Sequence, residues 1–319
     1  MAKPEIMVMN PVRRDVLAQL DADFTLLRAD QAEDQPDFIA RSGAACRAML
    51  ISGNNAITSD VLDAMPALAM ISCSTAGYDA LPVDEIGARG IALTNTSPAL
   101  RDDVADMGML LLLAARRGFV AGDAYVRSGD WARKGMYPLQ RKVSGSRLGI
   151  VGMGSLGSAV ARRAEAFGMQ IGYWNRREKD VPWTWYPDLV DLAKNSDALI
   201  LTIAGGPETE GLIGAEVMAA LGPQGLLVNI ARGSVVDEAA LIDALESGAL
   251  GHAALDVYRS EPDPDPRLTA LPNVTLSPHH ASGTEETRTD MARLAADNLR
   301  AFFAGKELLS PVAIPGAGA

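Results

Sequence analysis

The stretch that decides the fold runs from residue 147 to residue 157 and reads Arg147-Leu148-Gly149-Ile150-Val151-Gly152-Met153-Gly154-Ser155-Leu156-Gly157. Its first half is apolar enough to predict a buried strand. The residues that follow place Val160, Ala164 and Phe167 on one face of a helix, and Gly168 is a suitable stop signal for that helix. The stretch therefore predicts a strand, a glycine-rich turn and a helix in direct succession.

The glycines of this turn have the spacing of a dinucleotide-binding fingerprint. Gly152 would permit the tight turn, Gly154 would let the backbone approach a pyrophosphate, and Gly157 would let the helix pack closely on the strand. The backbone N–H groups of the first helical turn, at Ser155 and Leu156, would then face the anion. A glycine-rich turn without a ligand is the alternative, but the flanking strand and helix favour a bound nicotinamide dinucleotide.

The residues after the next predicted strand indicate which dinucleotide is bound. An NAD-dependent enzyme places Asp or Glu about twenty residues after the glycine turn, where the carboxylate bonds the ribose 2′-hydroxyl. This chain has Asn175-Arg176-Arg177 instead. Two guanidinium groups could pair with a 2′-phosphate, and no carboxylate there would repel it. We therefore expect NADP(H) to be preferred, with NAD(H) as the second cofactor; a solvated charged edge is the alternative interpretation.

Short apolar runs alternate with longer amphipathic ones along the chain, which is the pattern of parallel strands joined by crossover helices. Candidate strands form a first series at residues 5–9, 48–51, 69–73 and 91–94, and a second at 148–151, 170–174, 198–203, 226–230, 253–257 and 274–276. We expect an α/β protein with two doubly wound parallel-sheet domains. Between the two series, apolar spacing predicts one long helix over residues 102–127, as a connector or a subunit-interface element.

Composition limits the class of protein. The chain has 319 residues and 48% apolar content, which is enough for two domains that each bury a core. Its formal net charge of -11 argues against general affinity for nucleic acid or anionic membranes. The first residues contain no apolar signal core and no apolar run could span a bilayer, so a cytoplasmic location is expected. The tail of residues 314–319 is expected to fray.

The cysteines and histidines suggest neither a disulfide nor a metal site. Cys46 and Cys73 lie in or beside apolar runs, where buried reduced thiols are expected. No pair of the three histidines has a spacing that suggests zinc ligation together with a nearby Cys or carboxylate. We therefore expect no metal.

Hydride transfer to a carbonyl group needs a positive group that holds the substrate and an acid that delivers a proton. Arg232 follows predicted strand 226–230, Glu261 lies in a proline-rich loop after strand 253–257, and His279 follows strand 274–276. The carboxyl ends of such strands border the ligand crevice of an open α/β sheet. Arg232 would clamp a carboxylate, and Glu261 in contact with His279 would keep the imidazole protonated as a general acid. Taken singly, each residue also has a purely structural interpretation.

Four motifs occur in order along the chain: the turn 152–157, the segment 229–237, the segment 255–262 and Ser277-Pro278-His279. Together they resemble the D-isomer-specific 2-hydroxyacid dehydrogenase family, most closely its glyoxylate/hydroxypyruvate reductase branch, from about residue 51 to residue 309. The resemblance implies a Rossmann-type cofactor domain over residues 99–282, inserted in a flavodoxin-like substrate domain of residues 1–98 and 283–319. It also implies that Arg232, Glu261 and His279 form a catalytic triad, with Arg232 and His279 in contact with the substrate.

The resemblance implies further contacts with the cofactor. Asp256 and the backbone at Ile230 and Ala231 would lie at the nicotinamide carboxamide. Pro207 and Thr209 would lie beside the adenosine, although they could equally mark the start of a helix.

On the substrate side, the loop 74–79 resembles the family loop whose backbone N–H groups grip the substrate carboxylate. Ala76 and Gly77 would supply these groups, and Gly53 lies in the other substrate-facing loop. A plain turn is the alternative for Gly77.

Two features depart from the family pattern or extend beyond one subunit. His280 stands where the family usually has an apolar residue, so it could share the role of its neighbour or simply point outward. Trp131, with Met136-Tyr137, resembles the arm that reaches across the dimer in related reductases, although packing is the alternative for the tryptophan. A homodimer is expected.

The function expected from the sequence is NADPH-dependent reduction of glyoxylate and hydroxypyruvate to D-2-hydroxy acids, with hydride from the nicotinamide and a proton from His279. One alternative is a dinucleotide-sensing protein similar to a corepressor of this fold family. Another is a reductase of larger 2-keto sugar acids. Phosphoglycerate oxidation with NAD fits poorly, because Asn175 replaces the expected acid.

Overall fold

The computed structural model describes residues 3–314, except for the side chains of residues 14 and 15, and the chain divides into two compact units. The first unit consists of Met1–Leu100 and Gly283–Ala319, and the second consists of Arg101–Ser282. The boundaries predicted from the sequence lie at 98/99 and 282/283. Residues 315–319 of the predicted tail lie outside the described residues, so their fraying stays a prediction. The prediction is wrong for Ile314, which is buried in an apolar cluster of the first unit.

The first unit is built on a five-stranded parallel sheet with the order β2-β1-β3-β4-β5, which is the flavodoxin-like order. Its strands are β1 (Glu5–Val8), β2 (Thr25–Arg28), β3 (Ala48–Ile51), β4 (Met70–Cys73) and β5 (Ala92–Thr94). Both faces are covered, since Met49 and Ile71 belong to one apolar cluster and Leu50 and Met70 to another. Successive side chains of a strand point to opposite faces, so this sheet carries a core on each side.

The second unit is built on a seven-stranded parallel sheet with the order β12-β11-β10-β9-β6-β7-β8. Its strands are β6 (Arg147–Val151), β7 (Gln170–Trp174), β8 (Thr184–Tyr186), β9 (Ala198–Leu201), β10 (Leu226–Asn229), β11 (His252–Leu255) and β12 (Val274–Leu276). The chain runs from β6 outward to β8 and then returns to β9 on the other side of β6. The carboxyl end of β6 is therefore the switch point where open α/β sheets bind ligands. The predicted fold class is confirmed.

Helices connect the strands of both sheets. They are α1 (Arg14–Asp23), α2 (Gln35–Ser42), α3 (Ser59–Asp63), α4 (Val83–Ala88), α5 (Ser97–Arg116), α6 (Phe119–Arg127), α7 (Asp130–Lys134), α8 (Ser155–Ala166), α9 (Leu189–Lys194), α10 (Ala215–Leu221), α11 (Glu238–Ser247), α12 (Pro266–Ala270) and α13 (Glu285–Phe303). Short 3-10 helices occupy Ala29–Gln31, Pro207–Thr209 and Gly233–Val235. Within residues 3–314, no helix combines the length and the apolar character needed to cross a membrane.

The single helix predicted over residues 102–127 is wrong. Two helices, α5 and α6, occupy this stretch, and Gly118 lies between them with φ +55°. Glycine adopts this left-handed conformation without the strain that other residues incur, so the helix ends there although apolar residues continue at helical spacing. The sequence pattern also misses β2 and β8, which lie at sheet edges and are only partly buried.

Candidate active site

The glycine turn follows β6, where the sequence predicts it. Gly152 has φ +105°, a conformation that favours glycine, and its N–H donates to the Trp174 carbonyl at 2.9 Å. A Cβ atom at Gly157 would lie 2.2 Å from the Gly152 carbonyl oxygen, so glycine is required for α8 to begin this close to the turn. A Cβ atom at Gly154 would meet no described atom within 4 Å. Gly154 thus leaves the open space that a pyrophosphate would need.

The first turn of α8 faces this space with its backbone donors. The helix begins at Ser155, and none of the described side chains caps it. Its first N–H groups, including that of Leu156, have no helical carbonyl to bond and are suited to an anion. The Thr202 hydroxyl, just after β9, donates to the Gly152 carbonyl at 2.7 Å and so holds the turn in place.

The segment after β7 carries the residues expected to choose between dinucleotides. The Asn175 amide donates to the Arg177 carbonyl at 3.1 Å, and the Trp185 indole N–H donates to the Asn175 carbonyl at 3.2 Å. The Arg176 guanidinium forms an ion pair with the carboxylate of Glu208, which follows β9. The expectation that no carboxylate lies there is therefore wrong, because the sheet order brings the ends of β7 and β9 to either side of β6.

Pro207 and Thr209 are the first and last residues of a short 3-10 helix. The Thr209 hydroxyl donates to the carbonyls of Ala204 and Gly206, at 2.9 and 3.1 Å, and so helps to shape this turn. Pro207 as a helix start is confirmed, whereas the contact with adenosine stays a prediction.

The segment after β10 places Arg232. The buried Asn229 side chain accepts the Ala231 N–H at 3.0 Å and donates to the Arg232 carbonyl at 2.9 Å, so it fixes the turn. Ile230 and Ala231 are buried, and the half-buried Arg232 donates from its guanidinium to the Ala231 carbonyl at 2.7 Å. The guanidinium is therefore held close to its own backbone at the carboxyl end of the sheet.

Gly233 brings this segment against the loop that carries Glu261. A Cβ atom at Gly233 would lie 1.9 Å from the Tyr258 carbonyl carbon, so the two loops touch through backbone. One Glu261 oxygen accepts the Tyr258 N–H at 2.9 Å, and the other lies 2.6 Å from Nδ1 of His279. A carboxylate accepts hydrogen bonds, so Nδ1 carries a proton and Nε2 is left for proton exchange. His279 is 42% exposed and Glu261 31% exposed, which keeps the pair accessible.

A cavity of about 310 Å³ adjoins this pair, and apolar side chains such as Leu276 and Pro264 line much of it. The Tyr258 hydroxyl donates to the Ser277 carbonyl at 2.7 Å on the same wall. Burial raises the pKa of Tyr258 to about 12. Tyr258 therefore stays protonated at neutral pH and holds the loop that follows β12.

Asp256 holds the same loop more directly. Its side chain is 1% exposed, and its carboxylate accepts the Ser277 hydroxyl at 2.5 Å, the His280 N–H at 2.8 Å and the Ala281 N–H at 3.0 Å. The residue between these donors, His279, has φ +50°, in the left-handed region that disfavours a side chain. The three bonds to Asp256 hold the chain on both sides of this strained residue. The His280 side chain is exposed.

In the first unit, the predicted substrate loop is tied to Gly53. The Gly53 N–H donates to the Thr75 hydroxyl at 2.9 Å, and that hydroxyl donates to the Gly77 carbonyl at 2.8 Å. A Cβ atom at Gly53 would lie 1.9 Å from the Gly77 carbonyl oxygen, so the two loops are in backbone contact. The Asn95 amide donates to the Ala76 carbonyl at 3.0 Å. With their carbonyls engaged inside the unit, Ala76 and Gly77 form a fixed turn.

The structure thus brings Glu261 together with His279, and Gly53 together with the loop of Gly77. Thr75 and Asn229 lie in segments that the sequence singles out, but their supporting roles are not predicted, because they act on backbone groups that only folding brings close. Within residues 3–314, no group of three or more His, Cys, Asp or Glu side chains is arranged to hold a metal ion. The cysteines, Cys46 and Cys73, are buried free thiols.

Comparison with known families gives a match in the second unit. The model for the D-isomer specific 2-hydroxyacid dehydrogenase NAD binding domain matches residues 109–281. This range covers more than half of the chain, and it contains the glycine turn, the Arg232 segment and the pair of Glu261 and His279.

Individual relatives match over nearly the whole chain. The 2-ketogluconate reductase of Gluconobacter oxydans is 40% identical over 312 residues, which cover 98% of this chain and 99% of that protein. A glyoxylate/hydroxypyruvate reductase of Arabidopsis thaliana is 41% identical over 296 residues, covering 92% of each. The structure of an NADPH-dependent glyoxylate/hydroxypyruvate reductase from Sinorhizobium meliloti, in complex with NADP and malonate, matches with a TM-score of 0.89 at 38% identity, covering 98% of this chain and 97% of that one. The resemblance indicated by the motifs is confirmed.

Proposed function

Since the chain belongs to the D-isomer-specific 2-hydroxyacid dehydrogenase family, we propose that it reduces small 2-oxo acids to D-2-hydroxy acids with NADPH. Glyoxylate and hydroxypyruvate are the leading substrates. The observation that carries the proposal is the 2.6 Å contact between Glu261 and Nδ1 of His279. A carboxylate on one ring nitrogen fixes the tautomer and leaves the other nitrogen to exchange a proton with the substrate.

The second unit fits a nicotinamide dinucleotide. The open space beside Gly154 and the uncapped first turn of α8 suit a pyrophosphate. Asp256 and the backbone at Ile230 and Ala231 would hold the nicotinamide carboxamide. When bound, the reduced dinucleotide supplies a hydride to the carbonyl carbon of the substrate.

The remaining groups handle the carboxylate and the proton. In the second unit, Arg232 would bind the substrate carboxylate and polarise the oxo group. In the first unit, the turn of Ala76 and Gly77 is the substrate loop that the family resemblance implies. Nε2 of His279 would give its proton to the oxo oxygen as that oxygen becomes a hydroxyl. Glu261 stabilises the positive ring before the transfer and holds the neutral ring after it.

We also propose that NADP(H) is preferred and that NAD(H) is the second cofactor. Asn175 offers no carboxylate to the ribose, and Arg176 and Arg177 follow it directly. The related Sinorhizobium meliloti reductase was solved with NADP, which supports the same preference.

The test is a spectroscopic assay that follows the loss of NADPH absorbance with glyoxylate, hydroxypyruvate and a panel of other 2-oxo acids. Values of kcat/KM with NADPH and NADH give the cofactor preference. Equal values, or higher values with NADH, would refute the preference. Absence of turnover across the whole panel would refute the enzymatic role and favour the dinucleotide-sensing, corepressor-like alternative.

The larger 2-keto sugar acids are a second candidate substrate class. The observation that favours them is the 40% identity to a 2-ketogluconate reductase over 98% of the chain. The same panel separates the two classes, because a higher kcat/KM for 2-ketogluconate than for glyoxylate and hydroxypyruvate would reverse the ranking.

We propose that the active form is a homodimer in which a second copy covers the apolar surface of α6, α7 and the loop after them. Large apolar side chains are exposed there, with Phe119 at 69%, Trp131 at 61%, Met136 at 82% and Leu139 at 90%. Exposed apolar patches of this kind mark interaction surfaces. Sedimentation analysis should give a dimer that Phe119→Glu weakens, and a monomer at micromolar concentration would contradict the proposal.

A further inference from the structure

We propose that Glu208 is a specificity-determining residue that limits the preference for NADP(H) over NAD(H). The inference rests on the proposed dinucleotide site. Glu208 follows β9. In this fold, the residue that selects between the two cofactors usually follows the second strand of the dinucleotide-binding unit, which is β7 in this chain. The observation behind the inference is the ion pair between Glu208 and Arg176.

The pair lies across the strand that carries the glycine turn. Arg176 is the second residue after β7, and Glu208 lies in the 3-10 helix after β9. β7 and β9 are the two neighbours of β6 in the sheet. The ion pair therefore joins the two loops on either side of the turn 152–157, next to the place where the adenosine ribose would lie.

The segment that carries Arg176 is fixed by its own contacts. The buried Tyr173 hydroxyl accepts the Lys179 N–H at 2.9 Å, and the Trp185 indole N–H bonds the Asn175 carbonyl at 3.2 Å. The backbone is thus anchored on both sides of Arg176. The side chain itself is 76% exposed, so it can turn from Glu208 toward a phosphate while the loop stays in place.

The charge of Glu208 acts differently on the two cofactors. A 2′-phosphate must draw Arg176 away from the carboxylate and then lie near that negative charge, and both effects oppose binding. A 2′-hydroxyl carries no charge and can donate a hydrogen bond to a carboxylate. Glu208, in the 3-10 helix after β9, would thus partly replace the acid that NAD-dependent enzymes place at position 175 to bond the ribose 2′-hydroxyl.

The experiment compares the unmodified chain with Glu208→Gln, which removes the charge and keeps the size of the side chain. Glu210→Gln is the matched control, because Glu210 forms an ion pair of the same kind with Arg259 instead of Arg176. For each protein, kcat/KM is measured with NADPH and NADH, and the Kd of each cofactor is measured by nicotinamide fluorescence at low and high salt.

We expect Glu208→Gln to raise the ratio of NADPH to NADH, in both kcat/KM and affinity, by about three- to tenfold at low salt. The gain should shrink at high salt because the interaction is between exposed charges. Glu210→Gln should leave the ratio unchanged. An unchanged ratio in Glu208→Gln would overturn the inference, and so would a lowered ratio, which would mean that Glu208 positions Arg176 for the phosphate.

The outcome is separable from that of the proposed function. If the unmodified chain prefers NADH, the proposed preference fails, but the shift caused by Glu208→Gln still tests this inference. If the chain does not turn over any 2-oxo acid, the two Kd values alone provide the ratio.

Discussion

Asp256→Asn is the substitution that best separates two roles for one buried carboxylate. Family resemblance implies that Asp256 contacts the nicotinamide carboxamide, whereas the structure shows its oxygens accepting three hydrogen bonds from Ser277, His280 and Ala281. These bonds hold the loop in which His279 has φ +50°. If holding this loop is the main role, the substitution should reduce the chemical step more than cofactor binding.

The expected magnitude follows from the contacts. Asparagine keeps one acceptor oxygen, so its NH₂ group must face the N–H group of either His280 or Ala281, each of which now donates to a carboxylate oxygen. Losing a charged hydrogen bond and leaving a buried donor unpaired costs about 2–4 kcal/mol. This is less than the stability of a typical domain, about 5–15 kcal/mol, so the variant should fold. A displacement of His279 by about 1 Å would lower kcat by about 100-fold.

The assay combines urea unfolding with steady-state kinetics and with the Kd of NADPH. Asp237→Asn is the matched control: Asp237 caps α11 by accepting the Ala240 N–H at 3.1 Å, and asparagine caps a helix equally well. It should change neither stability nor kcat appreciably. The reasoning is refuted if Asp256→Asn weakens NADPH binding strongly while kcat at saturating cofactor stays within about threefold, since the carboxamide contact would then be the main role.

Three further outcomes are expected. His279→Ala should lower kcat by at least about 100-fold because the proton donor is lost, whereas His280→Ala, whose side chain is exposed, should retain turnover; loss of activity only in the second variant would reverse the assignment. Thr75→Val should raise the KM for glyoxylate about tenfold and lower the free energy of unfolding, because the Gly53 N–H and the Gly77 carbonyl each lose a hydrogen bond. Thr75→Ser keeps the hydroxyl and should restore both values, and equal defects in the two variants would contradict this. Burial raises the pKa of Cys46 to about 11, so this thiol should not react with an aromatic disulfide reagent at neutral pH until urea unfolds the chain. Rapid labelling of Cys46 in the native protein would contradict this prediction.

The fold could be predicted wherever burial on both faces makes a strand uniformly apolar. β3 and β9 are fully buried and stand out as apolar runs in the sequence. The edge strand β2, by contrast, includes Thr25 and Arg28 and is only partly buried, so it lacks that signal. The sequence pattern also fails to predict the break between α5 and α6, because apolar residues continue at helical spacing across Gly118. Only the left-handed backbone of Gly118 ends the helix.

The candidate site could be predicted where chemistry and sheet position coincide. Glu261 and His279 follow the neighbouring strands β11 and β12, and parallel strands bring their carboxyl ends to the same edge. The roles of Asp256 and Thr75 were not visible, because their partners are backbone groups and a hydroxyl brought close only by folding. Local sequence patterns describe which side chains a strand end offers, and they do not describe which backbone groups those side chains meet.

Cofactor choice shows the same limit in the electrostatics of the site. The segment 175–177 read alone contains two positive charges and no negative one, which predicts a strong preference for a 2′-phosphate. A doubly wound sheet, however, places β9 on the other side of β6, and its following loop brings Glu208 to Arg176. The electrostatic potential at the ribose therefore depends on the charged residues that follow both β7 and β9. On this argument the preference for NADPH should be moderate, and removing one carboxylate that is distant in sequence should strengthen it.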